Sequence, residues 1–349
     1  MAKRPAVRDR STDFLTAEFP DADERALLLG IAKAPTDNTA KLVYADWLDE
    51  RSDPRGEYVR AIVQRGGKKP LARVRKWREA CSGPWLSLMG ELQSEFDALA
   101  RSVASRPDVA RGWHSELTTK CADGLWEFDY TGNLWLEPDG LEPVLEFLCA
   151  PKIARVLRVI SLSAHEDHPN VNGTLHLSLS PMTRGGASFP YLEELWLDQS
   201  DGTILCGGQG EYAENGETAR LIAACPNLLT LGVPSAPNTD FFSGPAHPLE
   251  LLSVHAGYDT QGFIPNLTRS ERFPKLRRLE YKDFCCEYMT PAPPMFTPFG
   301  EWEAFFRSPT CAAIEEIKLE GVVLTKAEIR ALHAIRPDVG ITQSSVVRN

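Results

Sequence analysis

The chain has 349 residues, of which 43% are hydrophobic and 25% are charged, values that are ordinary for a globular protein. No stretch approaches the roughly 20 apolar residues that span a bilayer, and the basic start of the chain lacks the apolar core of a signal peptide. We therefore expect a cytoplasmic protein without membrane contact. Its eight cysteines should be reduced, buried side chains rather than a disulfide scaffold.

The charge is unevenly distributed along the chain. Residues 1–112 hold 20 Lys/Arg and 17 Asp/Glu, a net of +3, whereas residues 113–349 hold 18 and 31, a net of −13. The acidic second part would repel phosphates, which argues against a nucleic-acid surface there. It suits a basic partner, or it serves solubility alone.

Apolar residues recur at helical spacing in the N-terminal part of the chain. Residues 1–11 are polar and are expected to be disordered. The spacing then predicts helices over 24–33 and about 39–50, a third that begins near Pro54, and helical structure over 71–101 that Pro84 interrupts. The predicted buried face of the second helix holds Leu42, Val43, Trp47 and either Ala45 or Leu48. Residues 12–106 are thus predicted to form a helical module.

The run at 42–57, LVYADWLDERSDPRGE, closely resembles the motif LVYADWLEERGDPRGE of the bacterial repeat-companion domain. It departs from that motif at Asp49, where the motif has glutamate, and at Ser52, where the family prefers glycine, and the resemblance covers about 50 of the 349 residues. It implies a module that stands ahead of leucine-rich or other repeats and implies no known activity. We interpret the carboxylates of the run as helix caps and ion-pair partners rather than as a catalytic pair.

A basic segment follows at residues 60–78, with eight Lys/Arg, no acid and the aromatic Trp77. Basic side chains with an interleaved aromatic can bind nucleic acid or another polyanion. The alternative is a solvated helix that balances the charge of the acidic part. The candidate polyanion-binding residues are Arg65, Lys68, Lys69, Arg73, Arg75, Lys76 and Arg78.

A frame of aliphatic residues with LxxLxL spacing returns six times in the second part of the chain. The frames begin at Leu157, Leu192, Leu228, Leu249, Leu276 and Ile314. Helical candidates at 141–148, 217–224, 302–306 and 326–334 accompany them. The pattern resembles leucine-rich repeats with outer helices, which implies parallel strands that stack around one shared interior.

The frame starts lie 35, 36, 21, 27 and 38 residues apart, and the usual asparagine of such repeats is absent. We therefore predict an α/β fold in which residues 107–349 form an irregular leucine-rich-repeat-like solenoid. Other groups must replace the hydrogen bonds of the missing asparagines. An extra strand is predicted at 174–179 and a closing strand near 340–342.

In such an array the residues between the leucines face solvent on the concave side. Trp196 is the first-choice contact residue, because a tryptophan beside acids is a common anchor of interfaces. The alternative is that insertions cover it. The candidate partner-binding residues are Glu194, Trp196, Asp198, Leu251, His255, Arg278, Glu280, Lys282, Glu316 and Lys318.

The sequence shows no Walker loop, nucleophile elbow, dinucleotide fingerprint, HExxH run or CxxC zinc spacing. The run from His165 to His168 is interpreted as a solvated turn rather than as a metal site. We therefore expect no catalytic residue, cofactor or metal, and a protein-interaction or scaffold function. Polyanion binding through 60–78 is one alternative, and a sensing or regulatory subunit of a larger bacterial complex, such as a defence system, is another.

Overall fold

The computed structural model describes residues 11–64, 72–105, 107–108, 113–132, 134, 141–164, 175–199, 203–205, 214–256, 259–283 and 295–344. The architecture is mixed α/β, and the chain forms two compact units. The first unit comprises the chain up to Arg101 together with Thr119–Glu127. The second comprises Ser102–Thr118 and the chain from Phe128 onward.

Helices dominate the chain before the first strand. They are α1 Ser11–Glu18, α2 Ala22–Lys33, α3 Asn38–Asp49, α4 Arg55–Gln64, α5 Ala72–Ala80, α6 Gly83–Leu88 and α7 Gln93–Ala104. The Asp21 and Asp37 side chains accept hydrogen bonds from the first-turn N–H groups of α2 and α3, which is why these helices begin there. Pro84 lies in the first turn of α6, where its missing N–H costs nothing, so the predicted helical stretch is divided.

The buried face of α3 differs from the prediction. The buried residues are Lys41, Tyr44, Ala45 and Leu48. Val43, which was expected inside, is 50% exposed, and Trp47 is half-buried. The Tyr44 hydroxyl donates to Glu24 Oε1 over 2.7 Å and accepts from Trp85 Nε1 over 2.9 Å. These partners, which are distant in sequence, determine which face of α3 is buried. The spacing of apolar residues within the helix could not predict them.

The start of α4 is held by two carboxylates. Asp53 accepts a hydrogen bond from the Arg55 backbone N–H over 2.9 Å and also pairs with the Arg55 guanidinium at 2.7 Å. The same guanidinium reaches Glu24 of α2 at 2.9 Å. The aspartate and arginine of the motif thus cap one helix and tie it to another.

Gly56 allows α3 and α4 to approach closely. A Cβ atom at this position would stand 2.2 Å from Asp49 Oδ1 and 3.1 Å from the carbonyl oxygen of Ala45. Arg60, one turn further along α4, pairs with Asp46 and Asp49 of α3. Asp46, Asp49 and Asp53 of the motif run are therefore helix-cap or ion-pair partners.

Ser52 occupies a backbone conformation that favours glycine, because its φ angle is +55°. We expect Ser52→Gly to raise the free energy of unfolding by up to about 1 kcal/mol, since relief of the left-handed strain exceeds the added flexibility of the unfolded chain. Urea unfolding of the full chain would measure this gain. Ser52→Ala keeps the Cβ atom and is the control, so a glycine variant no more stable than the alanine variant would contradict the explanation.

The strands found in the described ranges are β1 Pro107–Asp108, β2 Trp113–His114, β3 Glu116–Ala122, β4 Leu125–Gly132, β5 Leu157–Ala164, β6 Leu175–Leu177, β7 Glu194–Leu197, β8 Thr203–Leu205, β9 Thr230–Val233, β10 Leu251–His255, β11 Arg278–Lys282, β12 Glu316–Glu320 and β13 Gly340–Ser344. The helices after β4 are α8 Glu142–Cys149, α9 Pro151–Ala154, α10 Ser180–Arg184, α11 Glu217–Ala224, α12 Phe263–Arg269, α13 Phe299–Phe306, α14 Pro309–Ala312 and α15 Lys326–Ile335, with a 3₁₀ helix at Thr239–Phe242.

Nine strands form one open sheet in the order β13-β12-β11-β10-β9-β7-β5-β4-β3. From β5 to β13, every neighbouring pair of this sheet is parallel. Each of the six predicted frames supplies one of these strands, so the prediction that they run parallel and side by side is confirmed. The extra strand expected at 174–179 is β6, which pairs with β8 in a separate two-stranded sheet.

Alternate residues of the parallel strands form the interior. One row in register, which we call the core row, is completely buried; it consists of Ile160, Leu195, Leu231, Leu252, Leu279 and Ile317. Each of these side chains packs beside its counterpart on the next strand, and burying one of them is worth about 1.5–3 kcal/mol. The side chains between them lie on the opposite side of the sheet.

Polar side chains that follow the strands form hydrogen bonds with backbone groups of neighbouring segments. After β7, Gln199 Nε2 donates to the carbonyl oxygens of Val233 at 3.0 Å and Ser253 at 3.1 Å. After β9, the Ser235 hydroxyl accepts from the Leu205 N–H over 2.8 Å. The side chain that makes these bonds differs from strand to strand, which agrees with the irregular spacing of the frames.

Candidate interaction face of the sheet

We call the residues that alternate with the core row on β5, β7 and β9–β12 the polar face. The strand register arranges them in rows. The first row is Val159, Glu194, Thr230, Leu251, Arg278 and Glu316. The second is Ser161, Trp196, Gly232, Ser253, Glu280 and Lys318, and the third holds His255, Lys282 and Glu320. Nine of the ten predicted partner-binding residues lie in these rows, and the tenth, Asp198, directly follows β7.

The degree of exposure differs from the prediction for part of this face. Seven of the candidates are half-buried: Trp196, Asp198, His255, Arg278, Lys282, Glu316 and Lys318. Glu194, Leu251 and Glu280 are only 4%, 6% and 8% exposed, so the expectation that they face solvent is wrong. Neighbouring strands lie about 4.8 Å apart, and side chains in adjacent rows and columns therefore cover one another.

Opposite charges face each other across β11 and β12. The register pairs Arg278 with Glu316, Glu280 with Lys318, and Lys282 with Glu320. The ion pairs are Arg278–Glu280 at 2.5 Å, Arg278–Glu316 at 3.4 Å, Lys282–Glu320 at 3.3 Å and Lys318–Glu320 at 3.8 Å. Partly exposed pairs of this kind contribute about 0–1 kcal/mol each, so their main effect is to fix the positions of the charges.

Trp196 is held in place by its own strand and the next one. Its indole Nε1 donates to Glu194 Oε2 over 3.3 Å. The ring lies against Gly232 of β9, where a Cβ atom would stand 2.5 Å from Trp196 Cε3. Beyond it, the Ser253 hydroxyl donates to Gln199 Oε1 over 3.0 Å. Neither Gly232 nor Gln199 was predicted as part of the face, although a glycine inside a strand often marks a close approach.

A small depression lies over β10–β12 of the face. Polar side chains contribute to its lining, namely Ser253, His255, Glu280, Lys282, Lys318 and Glu320. It presents both cations and carboxylates, which can exchange their mutual ion pairs for polar groups of a partner. Such an arrangement sets orientation and specificity rather than contributing large affinity.

The structure describes only part of the basic segment, so polyanion binding there stays a prediction. Arg65, Lys68 and Lys69, and the side chains of Arg73 and Arg75, lie outside what the structure describes. Lys76 is exposed on α5. Arg78 is bound to the Glu95 carboxylate and to the carbonyl oxygen of Glu91, so it is occupied within the first unit. At the start of the segment, Arg60 is ion-paired with α3.

The run His165–His168 lies outside the described residues. Within the ranges that are described, no cluster of three or more His, Cys, Asp and Glu side chains could hold a metal ion. No helix in those ranges is both long enough and apolar enough to cross a bilayer.

Comparison of the sequence with protein-family models gives no match, and comparison with curated proteins also gives none. The resemblance to the repeat-companion domain therefore rests on the motif residues alone and stays a prediction.

Proposed function

We propose that this chain is a non-enzymatic protein-binding protein in which a repeat-companion module precedes an irregular leucine-rich-repeat solenoid, and that the polar face is its binding surface. The observation that carries the proposal is the placement of Trp196. It stands half-buried among rows of polar residues contributed by successive parallel strands. Tryptophan and arginine supply a large share of the binding energy at protein interfaces. The cytoplasmic location stays a prediction.

The charged part of the face favours binding over catalysis. General acid–base catalysis needs groups whose protons are free to move to a reacting atom. Here Arg278 lies within ion-pair distance of two carboxylates, and Glu320 within that distance of two lysines. Such a network of ion pairs on β11 and β12 is suited to complementing the charges of a partner and to fixing the position in which the partner binds.

Capture of a partner from cells of the source organism would test the function. The purified full-length chain is used as bait, and bound proteins are quantified by mass spectrometry for wild type, Trp196→Ala and Trp47→Ala. Trp47 is the matched control, because it is also a half-buried tryptophan but lies on α3 of the first unit. Unfolding curves of all three proteins check that they are folded.

We expect a stoichiometric protein partner whose recovery falls by roughly tenfold or more with Trp196→Ala and stays close to wild type with Trp47→Ala. Absence of any stoichiometric protein, or equal recovery with both variants, would refute the proposed function. Recovery of nucleic acid that high salt releases would support the polyanion alternative instead. A partner enzyme whose activity changes on binding would assign the chain a regulatory role.

A further inference from the structure

The indole of Trp196 forms a fixed platform. One part of the ring rests on the backbone of Gly232, where no side chain intervenes. The hydrogen bond from Nε1 to Glu194 fixes its rotation within the strand. Because the residue is only half-buried, part of it remains accessible to a partner.

Among the residues that the structure describes, those around this platform include more carboxylates than cations. The polar face and the end of β7 carry five carboxylates, namely Glu194, Asp198, Glu280, Glu316 and Glu320, against the three cations Arg278, Lys282 and Lys318. All three cations lie in ion pairs with carboxylates on β11 and β12. The two carboxylates of the β7 region, Glu194 and Asp198, are the ones nearest in sequence to Trp196. Residues 113–349 as a whole carry a net charge of −13, so long-range attraction also favours a cationic partner.

Another tryptophan of the same chain shows which ligand suits such a ring. The guanidinium carbon of Arg51 lies 3.8 Å from the centroid of the Trp47 ring. A planar cation stacks on an indole because the ring face carries partial negative charge. Among the residues that the structure describes, no cation stands over Trp196 in this way.

We propose that Trp196 binds the side chain of an arginine or lysine from a basic segment of a protein partner. The cation stacks on the exposed part of the indole, and the carboxylates at Glu194 and Asp198 supply the negative potential. Arginine is preferred, since its guanidinium can stack and donate hydrogen bonds at the same time. This inference rests on the proposed function and names the chemistry of the partner.

Fluorine NMR of the full-length chain labelled with 5-fluorotryptophan would test the inference. The Trp196 signal is assigned with Trp196→Phe. The probes are an octapeptide of alternating arginine and glycine, the same peptide with citrulline in place of arginine, and one with glutamate. Citrulline has nearly the shape of arginine but no charge, so it isolates the contribution of the cation.

With the arginine peptide, we expect the Trp196 signal to shift and saturate, and with added salt the midpoint should rise. The citrulline peptide should bind roughly fivefold or more weakly, and the glutamate peptide should cause no shift. Gly232→Ala should abolish the shift, because the new methyl group displaces the ring, while the circular dichroism spectrum stays that of the wild type. The Trp47 signal should not respond, since Arg51 already covers that ring.

A Trp196 signal that ignores the arginine peptide at millimolar concentration, or that responds equally to citrulline, would overturn the inference. If the peptide titration gives either result while Trp196→Ala still reduces recovery of the captured partner, the proposed function stands and only the cationic chemistry of the partner is wrong. If capture is also unaffected by Trp196→Ala, both proposals fail.

Discussion

Arg55→Ala is expected to lower the free energy of unfolding of the first unit by about 3 kcal/mol. The arginine lies 2.9 Å from Glu24 Oε1 and 2.7 Å from Asp53 Oδ2, and the side chain of Glu24 is only 11% exposed. Without the arginine, the Tyr44 hydroxyl is the only remaining described partner of the buried Glu24 carboxylate. An uncompensated charge in such a place costs far more than the original pair contributes, which is why a large effect is expected.

Arg60→Ala is the matched control for this prediction. Its carboxylate partners on α3, Asp46 and Asp49, are 66% and 47% exposed, so water solvates them when the arginine is removed. Urea unfolding combined with hydrogen exchange of the segments α2 to α4 would measure both variants. The prediction requires faster amide hydrogen exchange in α2 to α4 for Arg55→Ala and almost unchanged exchange rates for Arg60→Ala. Equal losses of unfolding free energy in the two variants would show that the contact of Arg55 with the buried Glu24 does not stabilise these helices.

Between pH 5 and pH 7.5, the titration of Asp283 is expected to lower the free energy of unfolding by about 2 kcal/mol, and Asp283→Asn should remove this change. Asp283 is completely buried, and its Oδ1 accepts hydrogen bonds from the backbone N–H and the hydroxyl of Thr297, each at 3.2 Å. Burial raises the pKa of this carboxyl to about 7, from the usual 3.8. The folded protein therefore holds a proton that the unfolded chain releases at much lower pH.

The sign of the effect follows from this proton. The proton on Asp283 stabilises the folded state fully below pH 3.8. This stabilisation falls as the pH rises and is lost above about pH 7, where the buried carboxyl is ionised. Asparagine keeps an oxygen that accepts the Thr297 hydrogen bonds and has no proton to lose. The stability of the wild type relative to Asp283→Asn should therefore fall with rising pH, as measured by urea midpoints.

Two other titratable side chains, His247 and Asp338, help to isolate the contribution of Asp283. Burial lowers the pKa of His247 below the usual 6.5, so that side chain costs stability as the pH falls, but it is present in both proteins and cancels in the difference. Asp338→Asn is the control, because the Arg336 side chain lowers the pKa of that exposed carboxyl further below the window of pH 5 to 7.5. A pH profile that Asp283→Asn leaves unchanged would rule out Asp283 as the titrating group.

Local patterns predicted the elements of this fold well. The frame that begins at Leu249 became β10, and the helix expected at 217–224 has those bounds in the structure. Both depend on the spacing of apolar residues and on nearby caps, which are properties of short stretches of chain. The rotation of α3 was predicted wrongly, because Tyr44 is buried against Glu24 and Trp85 rather than by its own helix.

The amino-acid sequence by itself determined that the six framed segments are strands and that these strands are parallel neighbours, because leucines repeated at one spacing can be buried only beside one another. It also indicated which residues share the polar face. Tertiary structure alone decided that Glu194 and Glu280 are covered, that the Trp196 ring rests on Gly232, and that Asp283 is buried beside Thr297. These features depend on contacts between residues from different strands and loops, whose distances are set only when the whole sheet has formed.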